Sequence, residues 1–255
     1  MFNNIILSLK KINVLWYLAT LEIKYKYVRS KLGVLWNTLA AFIFILVVSS
    51  VYSQVLNSGN DNLFLYSSIG YIFWLLFSSI ITESLTLIID NKNILQDIKI
   101  NIIDIYIRSV LKNFIIFLHN AIIILFSLFI YSDSLDLVNI FIFLVNFGLI
   151  LILLFFISIS LSFLSLIYRD VIQIVSTLMF LSFLITPIFW FKKFAINVIF
   201  VEFNPFYYII NFVRAPLMNQ AIPLSHNLII LTMIIISILV ALFSYRNNKN
   251  IYYLF

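Results

Sequence analysis

Four basic side chains lie within eight residues near the N-terminus, and they offer the clearest chemistry in the sequence. They are Lys24, Lys26, Arg29 and Lys31. Ammonium and guanidinium groups at this density attract phosphate, whether in anionic headgroups or in a diphosphate-bearing lipid. The alternative is a basic flank that only sets the orientation of the chain in a membrane.

The element that must position these cations is a helix predicted over residues 12–32. One of its faces is apolar and another is charged. The apolar face comprises Leu18, Leu21, Tyr25, Val28 and Leu32, and the charged face Glu22, Lys26 and Arg29. Two such faces are typical of a helix lying in the membrane surface. Residues 1–33 are therefore predicted to form a cytoplasmic N-terminal segment around this helix.

Glu83 is a carboxylate inside the second of six predicted membrane spans, residues 63–89. It lies roughly 9 Å from the cytoplasmic end of that span at 1.5 Å per residue. Such a group is costly in hydrocarbon unless it is paired. It either faces a bundle interior or cavity, or reaches a nearby lysine at the surface. No catalytic couple and no metal-ligand spacing accompany it, the chain has no cysteine, and its four glycines are too scattered for a phosphate-binding loop. We therefore expect no catalytic residue, metal or cofactor on this chain.

The composition makes lipid the main solvent of the protein. Apolar residues make up 64% of the 255 residues, charged residues make up 10%, and the mean hydropathy is +1.12. The net charge of +6 does not indicate nucleic acid, because the basic residues flank apolar runs and so face headgroups.

Six segments are long and apolar enough, or nearly so, to cross a hydrocarbon core of about 30 Å. The predicted spans are 34–55, 63–89, 113–131, 137–168, 171–190 and 228–245. Alternate loops then place thirteen of the sixteen Lys and Arg residues on one side, so the positive-inside rule puts both termini in the cytoplasm. The fold class is an all-α integral membrane protein, with residues 34–255 as one membrane domain.

Two loop regions carry further predictions. In the cytoplasmic segment 91–101, Ile94, Leu95 and Ile98 form a small apolar face beside Asp97 that suits docking to another protein, although a plain loop is the alternative. Between the last two spans, 191–227 contains apolar pieces too short to cross, which are predicted to be re-entrant or interfacial and to line an outer opening. A seventh span there is the alternative, but it would put Arg246 and Lys249 outside, against the charge rule.

Aromatic residues are dense along the first, second and fifth spans. Some of them are candidates for lining a sugar path, since a pyranose stacks its C–H face on an aromatic plane, whereas most rings in a span pack or face lipid. The candidates are Trp36, Phe42, Tyr52, Tyr66, Tyr71, Trp74, Phe180 and Phe183.

The order of these segments resembles the permeases of ABC type-2 exporters, in particular the O-antigen, capsule and teichoic-acid group. The resemblance covers nearly the whole chain. Its marks are the segment KYKYVRSKLGVLW from Lys24 to Trp36, Glu83 near the inner end of the second span, Arg169-Asp170 opening the fifth, Thr186-Pro187-Ile188, and Asn204-Pro205 followed nine residues later by Arg214.

The resemblance implies a homodimer in the bacterial plasma membrane, with two separate subunits that bind ATP and Mg. Residues 12–32 would be a gate helix whose Lys24, Lys26, Arg29 and Lys31 meet the diphosphate of a polyprenyl-linked polysaccharide. Residues 91–101 would be a coupling helix. An external gate would contain Pro187, Trp190, Asn204, Pro205, Tyr207, Tyr208 and Arg214.

Two rival functions remain open. One keeps the exporter but changes its cargo to a drug, a small lipid or a short glycolipid. The other is an ion-coupled transporter or membrane-embedded enzyme, for which only Glu83 and His119 are candidate intramembrane groups.

Overall fold

The computed structural model describes residues 1–55, 62–97, 101–131, 136–194 and 198–247, and in this part of the chain all regular structure is helical. The helices are α1 (Phe2–Leu9), α2 (Ile12–Lys26), α3 (Leu35–Val55), α4 (Leu63–Ser84), α5 (Leu87–Asp90), α6 (Lys92–Asp97), α7 (Ile102–Tyr131), α8 (Leu137–Ile167), α9 (Asp170–Ile185), α10 (Val198–Glu202), α11 (Pro205–Leu217) and α12 (Leu224–Asn247). A short 3-10 turn, Lys192–Phe194, follows α9.

Five described helices are long and apolar enough to cross a membrane, so the chain is an all-α, multi-pass membrane protein. They are α3, α4, α7, α8 and α12. The predicted bounds of the first and fourth spans agree with α3 and α8 to within one residue, and the sixth predicted span lies inside α12. Helices α3, α8 and α12 contain no Lys, Arg, Asp or Glu, except for Arg246 in the last turn of α12. Composition alone therefore locates these three spans.

The fifth predicted span, 171–190, is shorter than expected. Helix α9 has 16 residues, about 24 Å at 1.5 Å per residue, which is less than the usual hydrocarbon thickness. It ends before Thr186, because Pro187 disfavours helical backbone at the residue that precedes it. The Thr186 hydroxyl donates to the Ser182 carbonyl at 2.5 Å. Trp190 therefore lies beyond the helix.

The third predicted span begins too late, since α7 starts at Ile102 rather than at residue 113. The added turns contain Asp104, Arg108 and Lys112, which an apolar window excludes. Spacing by four places these charges on one face of the helix. At 30 residues α7 is about 45 Å long, longer than the hydrocarbon core.

The N-terminal region also differs from its prediction. The helix expected over 12–32 ends at Lys26, and a separate helix, α1, precedes it. Gly33 then adopts a φ of +56°, which few residues other than glycine tolerate, just before α3 begins. The second predicted span is likewise interrupted after Ser84, and α5 follows as a separate turn.

Helix α4 is the centre of the bundle, packed against α3, α7, α8, α9 and α11. Its Ile69, Phe73 and Phe77 are fully buried. They pack with Ile150 and Leu153 of α8 in the largest apolar cluster of the described chain. Buried side chains recur along α4 from Leu63 to Ser84, so most of this helix faces protein rather than lipid.

Hydrogen bonds define two ends of the bundle. At the proximal end, the Asn4 amide donates to the Tyr245 hydroxyl at 2.7 Å, so the start of the chain lies beside the end of α12. At the distal end, Asn62 donates to the Tyr131 carbonyl at 3.2 Å, which joins the start of α4 to the end of α7. The described residues of 191–227 lie at the distal end, where α11 packs on α4, α8 and α12.

Candidate functional site

Glu83 lies in the last turn of α4 and accepts hydrogen bonds from three side chains of α7. Its Oε1 is 2.7 Å from the Ser109 Oγ and 2.6 Å from the Lys112 Nζ, and its Oε2 is 2.9 Å from the Asn113 Nδ2. The carboxylate is thus paired and solvated by protein, which removes most of the cost of placing it within a membrane protein. It also lines a cavity, so the same carboxylate faces a cavity and contacts a lysine.

Glu22 of α2 extends this cluster to the N-terminal helix. Its carboxylate lies 2.7 Å from the Arg108 Nε and 3.4 Å from the Lys112 Nζ. Arg108 also donates from Nη2 to the Asn91 Oδ1 at 2.7 Å. We call Glu22, Glu83, Arg108 and Lys112 the ionic network; its two acids and two bases balance, so opposite charges tie α2, α4 and α7 together.

A cavity of about 650 Å³ opens beside the ionic network, between α2, α3, α4 and α7. Its wall is rich in hydroxyl, amide and charged groups. The polar lining residues are Glu22, Lys26, Tyr27, Asn37, Ser78, Ser79, Thr82, Glu83, Lys112, Asn113 and Asn120. Apolar side chains, among them Ile72, Leu75 and Phe117, complete the wall, so the chamber has room for a hydroxyl-bearing or hydrated group beside an apolar one.

The four predicted phosphate-binding cations are exposed, but only Lys26 lines the cavity. Lys24 lies on the exposed side of α2, whereas Arg29 and Lys31 follow the helix. The face of α2 that packs on protein comprises Leu15, Ala19 and Ile23, and Leu18, Tyr25, Val28 and Leu32 of the predicted apolar face are exposed. That apolar face is therefore available to lipid.

A second polar cluster, the arginine cluster, lies at the distal end around Arg214 of α11, which is only 3% exposed. Its guanidinium carbon lies 3.7 Å from the centroid of the Tyr66 ring, and its Nη1 donates to the Pro187 carbonyl at 3.0 Å. A Cβ added to Gly70 would come within 2.2 Å of Nη2. Nε and Nη2 of Arg214 have no hydrogen-bond partner among the described residues. The buried guanidinium of Arg214 therefore packs on the Tyr66 ring, donates to the Pro187 carbonyl and occupies the space beside Gly70.

Asn204 organises the polypeptide next to the arginine cluster. Its Oδ1 accepts from the Phe206 amide at 3.0 Å, which caps α11, and Pro205 occupies the first turn, where no amide donor is needed. Its Nδ2 donates to the Thr186 hydroxyl at 2.7 Å. Asn204 therefore joins the end of α9 to the start of α11.

The other predicted external-gate residues lie around this junction. Trp190 is half-buried. The rings of Tyr207 and Tyr208 pack on His226, with centroids 5.6 and 4.9 Å away. Lys192 lies 5.2 Å from the Tyr207 ring and donates to Glu202 at 2.9 Å, and this hydrogen bond raises the pKa of Lys192.

The eight aromatic candidates separate into packed and exposed rings, and none of them lines the cavity. Tyr71 and Trp74 both pack on Phe183, with centroids 6.2 and 5.4 Å away. Phe42 packs on two phenylalanines, and Tyr66 on Arg214 and Phe191. The exposed rings are Trp36, Tyr52 and Phe180. Their role as a sugar path stays a prediction.

Segment 91–101 contains α6, but Leu95 does not offer a docking surface. Its side chain is 1% exposed and belongs to an apolar cluster with Leu15 and Ile103. An apolar face in a short amphipathic segment does not reveal whether it meets its own chain or a partner, which is why the prediction was wrong for this side chain. Ile98 and the side chains of Ile94 and Asp97 lie outside the described part of the chain.

Several residues of both sites were not singled out from the sequence. Arg108 and Lys112 fell in a segment assigned to a loop, although their spacing of four is that of one helical face. Gly70 gave no local signal. Among the described residues no three His, Asp or Glu side chains group as metal ligands, and His119 bonds through Nδ1 to the Ile115 carbonyl at 2.8 Å.

No protein-family model matches this sequence, and no curated protein matches it either.

Proposed function

We propose that this chain is the membrane-spanning subunit of an ATP-driven exporter that moves polyprenyl-diphosphate-linked polysaccharide out of the cytoplasm. The observation that carries the proposal is the cavity between α2 and the spans, lined in part by Glu22, Glu83 and Lys112 of the ionic network. A chamber with hydroxyl, amide and balanced charged groups at one end of a bundle of membrane-spanning helices suits a polar cargo that enters from that end.

Six crossings account for the positions of the chain ends. The Asn4–Tyr245 hydrogen bond puts the start of the chain beside the end of α12, whereas five crossings would leave them on opposite sides of the bilayer. Helix α9 supplies the sixth crossing, together with Thr186 and the residues that follow it. A short helix can cross when the next segment is covered by protein, and here Asn204 and Arg214 hydrogen-bond to Thr186 and to the Pro187 carbonyl.

The distribution of cations supports a cytoplasmic position for the proximal end. Among the described residues, eleven Lys and Arg residues belong to segments at or near that end, and the distal exceptions are Lys192, Lys193 and Arg214. Lys26 lies where a diphosphate would meet the cavity, with Lys24, Arg29 and Lys31 exposed nearby. The region around the arginine cluster serves as the external gate.

The resemblance supplies the assembly of the exporter. Two copies of this chain associate with two separate ATPase subunits, which bind ATP and Mg, and segment 91–101 contacts them. The glycan passes along aromatic side chains between the two permeases.

The proposal is tested by transport in inverted vesicles that contain this chain together with a candidate ATPase subunit from the same cell. A labelled polyprenyl-diphosphate glycan should enter the vesicle lumen only with ATP. Lys26→Gln should lower the initial rate several-fold, because it removes the cation at the cavity wall. Asn13→Asp is the matched control: it also shifts the charge by one negative unit, on an exposed site of α2, and should leave the rate unchanged.

Two results would overturn the proposal. One is ATP-dependent movement of a drug or a small lipid but not of the glycan, which would change the cargo. The other is transport driven by an ion gradient in the absence of any ATPase, which would change the class of transporter.

A further inference from the structure

Helix α1 presents an apolar face that nothing in the described chain covers. Phe2, Ile6 and Leu9 recur at helical spacing and are 55%, 54% and 52% exposed. Asn4 and Ser8, on the other side of α1, turn toward the protein. The helix therefore has one face suited to the bundle and another suited to an apolar environment.

Three hydrogen bonds fasten the polar side of α1 to two different places in the bundle. The side-chain amide of Asn4 donates to the Tyr245 hydroxyl at 2.7 Å. The side-chain amide of Asn101 donates to the backbone carbonyl of Asn4 at 3.1 Å and to the Ser8 hydroxyl at 2.9 Å. Because Asn101 immediately precedes α7, α1 joins the end of α12 to the start of α7.

The depth of α1 follows from the helix to which it is bonded. Leu239 and Phe243 of α12 are 61% and 68% exposed, as lipid-facing side chains are, and Arg246 follows Tyr245 directly. The apolar run of α12 thus leaves the hydrocarbon at the level of Tyr245. Since Asn4 bonds to that hydroxyl, α1 lies at the membrane surface.

Helix α8 gives the same level independently. The ring of Phe163 packs on that of Tyr245 with centroids 6.3 Å apart. Ile167, one turn later, is still 50% exposed, and Arg169 marks the end of the apolar run. Two spans therefore place the polar anchor of α1 where hydrocarbon meets headgroups.

The charge next to α1 selects the kind of lipid. Lys10 and Lys11 follow its last residue, and both are exposed. Apolar side chains with two adjacent ammonium groups are the combination that binds an anionic leaflet, by burial of apolar area and by attraction to the headgroups. Charge complementarity thus favours lipid over a protein partner as the occupant of this face.

We propose that α1 lies in the headgroup layer of an anionic leaflet and, through Asn101, holds the start of α7 in place. Anionic lipid then becomes a ligand that stabilises the position of the start of α7. The proposal does not depend on the cargo of the protein, because it follows only from the contacts and exposure of α1.

The sequence contains no cysteine, so single cysteines can carry spin labels without removing native ones. The full chain is reconstituted in vesicles of phosphatidylcholine mixed with an equal amount of phosphatidylglycerol. Labels are placed at Ile6→Cys, at Asn93→Cys as the aqueous reference and at Leu239→Cys as the lipid reference, all of them exposed positions. The ratio of collision with oxygen to collision with a water-soluble nickel chelate at Ile6 should be several-fold higher than at Asn93 and approach that at Leu239. A ratio equal to that at Asn93 would overturn the proposal and point to a protein partner.

Two further variants test the charge and the attachment. With the label at Ile6, Lys10→Gln combined with Lys11→Gln should move the ratio toward the aqueous value, as should vesicles of phosphatidylcholine alone. With a label at Ile102→Cys, the first residue of α7, Asn101→Ala should increase label mobility in the mixed vesicles. An Ile6 ratio that ignores both charge changes would refute the anionic selectivity, and unchanged mobility at Ile102 would refute the link to the start of α7. Leu9→Cys provides a second site on the same face if Ile6→Cys does not assemble.

Discussion

The ionic network and the arginine cluster hold charge inside the same membrane protein in opposite ways. In the network, each charged side chain lies within 3.4 Å of one of opposite sign, beside a cavity large enough for water. In the cluster, Arg214 forms no ion pair with any described residue and has a ring, a carbonyl and a glycine around it. The ionic network is stabilised by electrostatic pairing, and the arginine cluster by close packing around the Arg214 guanidinium.

This difference predicts how each region responds to substitution. A partly solvated pair tolerates small changes of size, because water can fill the space and replace lost hydrogen bonds. A close-packed cation does not tolerate such changes, because the protein interior around it has no free volume that could accommodate a larger side chain. We therefore expect the largest effects from a single methyl group in the cluster and smaller effects from loss of charge in the network.

Gly70→Ala should have the largest effect. The new Cβ would lie 2.2 Å from the Arg214 Nη2, which is shorter than any van der Waals contact, so the buried guanidinium must shift away from Gly70 and lose its fit to the Tyr66 ring. Overpacking of this kind costs about 1–3 kcal/mol, and an unpaired buried charge adds to it. The unfolding midpoint in detergent should fall by about 5–10 °C.

Gly148→Ala is the matched control, since Gly148 is also helical. A Cβ added there would have no side-chain or distant backbone atom within 4 Å. It should leave the midpoint unchanged or raise it slightly, because alanine favours the helix. Adding Arg214→Ala to Gly70→Ala should recover part of the loss. Equal midpoints for the two glycine variants would show that Arg214 is not held by shape.

Glu83→Leu should have the next largest effect. It leaves Lys112 with Glu22 as its remaining acid, at 3.4 Å, and leaves Ser109 and Asn113 without their carboxylate acceptor. Glu83 and Lys112 are 25% and 22% exposed, so solvent reduces the loss to about 1–3 kcal/mol, less than in a dry interior. Glu83→Gln, which keeps the size and one acceptor, should lose about half as much.

A double-mutant cycle with Lys112→Met isolates the pair. Thermal unfolding of the two single variants and the double variant should give a favourable coupling energy of about 1 kcal/mol. Strictly additive losses would mean that Glu83 is held by its neutral donors rather than by charge.

Tyr66→Leu tests the ring face of the arginine cluster. The guanidinium carbon lies 3.7 Å from the ring centroid, so loss of the ring should cost about 1–2 kcal/mol of cation–π attraction and packing. Tyr66→Phe keeps the face and should change the unfolding midpoint by less than half as much. If the two variants were equally destabilised, the hydroxyl rather than the ring would be the group that holds Arg214.

Much of the bundle could be predicted because an apolar run of membrane length needs only local sequence to be recognised. The fourth span, 137–168, has no charged residue, and its bounds agree with α8 to within one residue. The ionic network could not be predicted in this way, because its charges interrupt the apolar pattern that marks a span. Its pairing also depends on residues far apart in the chain, such as Glu22 and Arg108.

The contacts of the arginine cluster could not be predicted from the sequence either. Arg214 was selected from a motif, yet its contact with Gly70 joins α11 to α4, and a lone glycine carries no signal of what fills the space beside it. The predicted apolar face of 91–101 failed at Leu95 for a related reason, since the buried environment of that side chain comes from Leu15 and Ile103. Tertiary contacts decide these cases.

The smallest effect is expected from the Lys192–Glu202 pair, which lies at the same end as the arginine cluster but is held by charge. The two atoms are 2.9 Å apart, but the side chains are 35% and 52% exposed, so water screens the attraction. Glu202→Gln should change the free energy of unfolding by less than about 0.5 kcal/mol.

The pH dependence of this variant has a definite sign. Glu202 raises the pKa of Lys192 above its ordinary value of 10.5, so the pair stabilises the fold fully below that value and loses its contribution as the pH rises through the pKa of the folded protein. Wild type and Glu202→Gln should therefore differ slightly in unfolding midpoint near neutral pH and converge in strong alkali. A difference that grew with alkaline pH would mean that another group couples to Glu202. A difference as large as that of Gly70→Ala would mean that exposed charge, not shape, holds the distal end together.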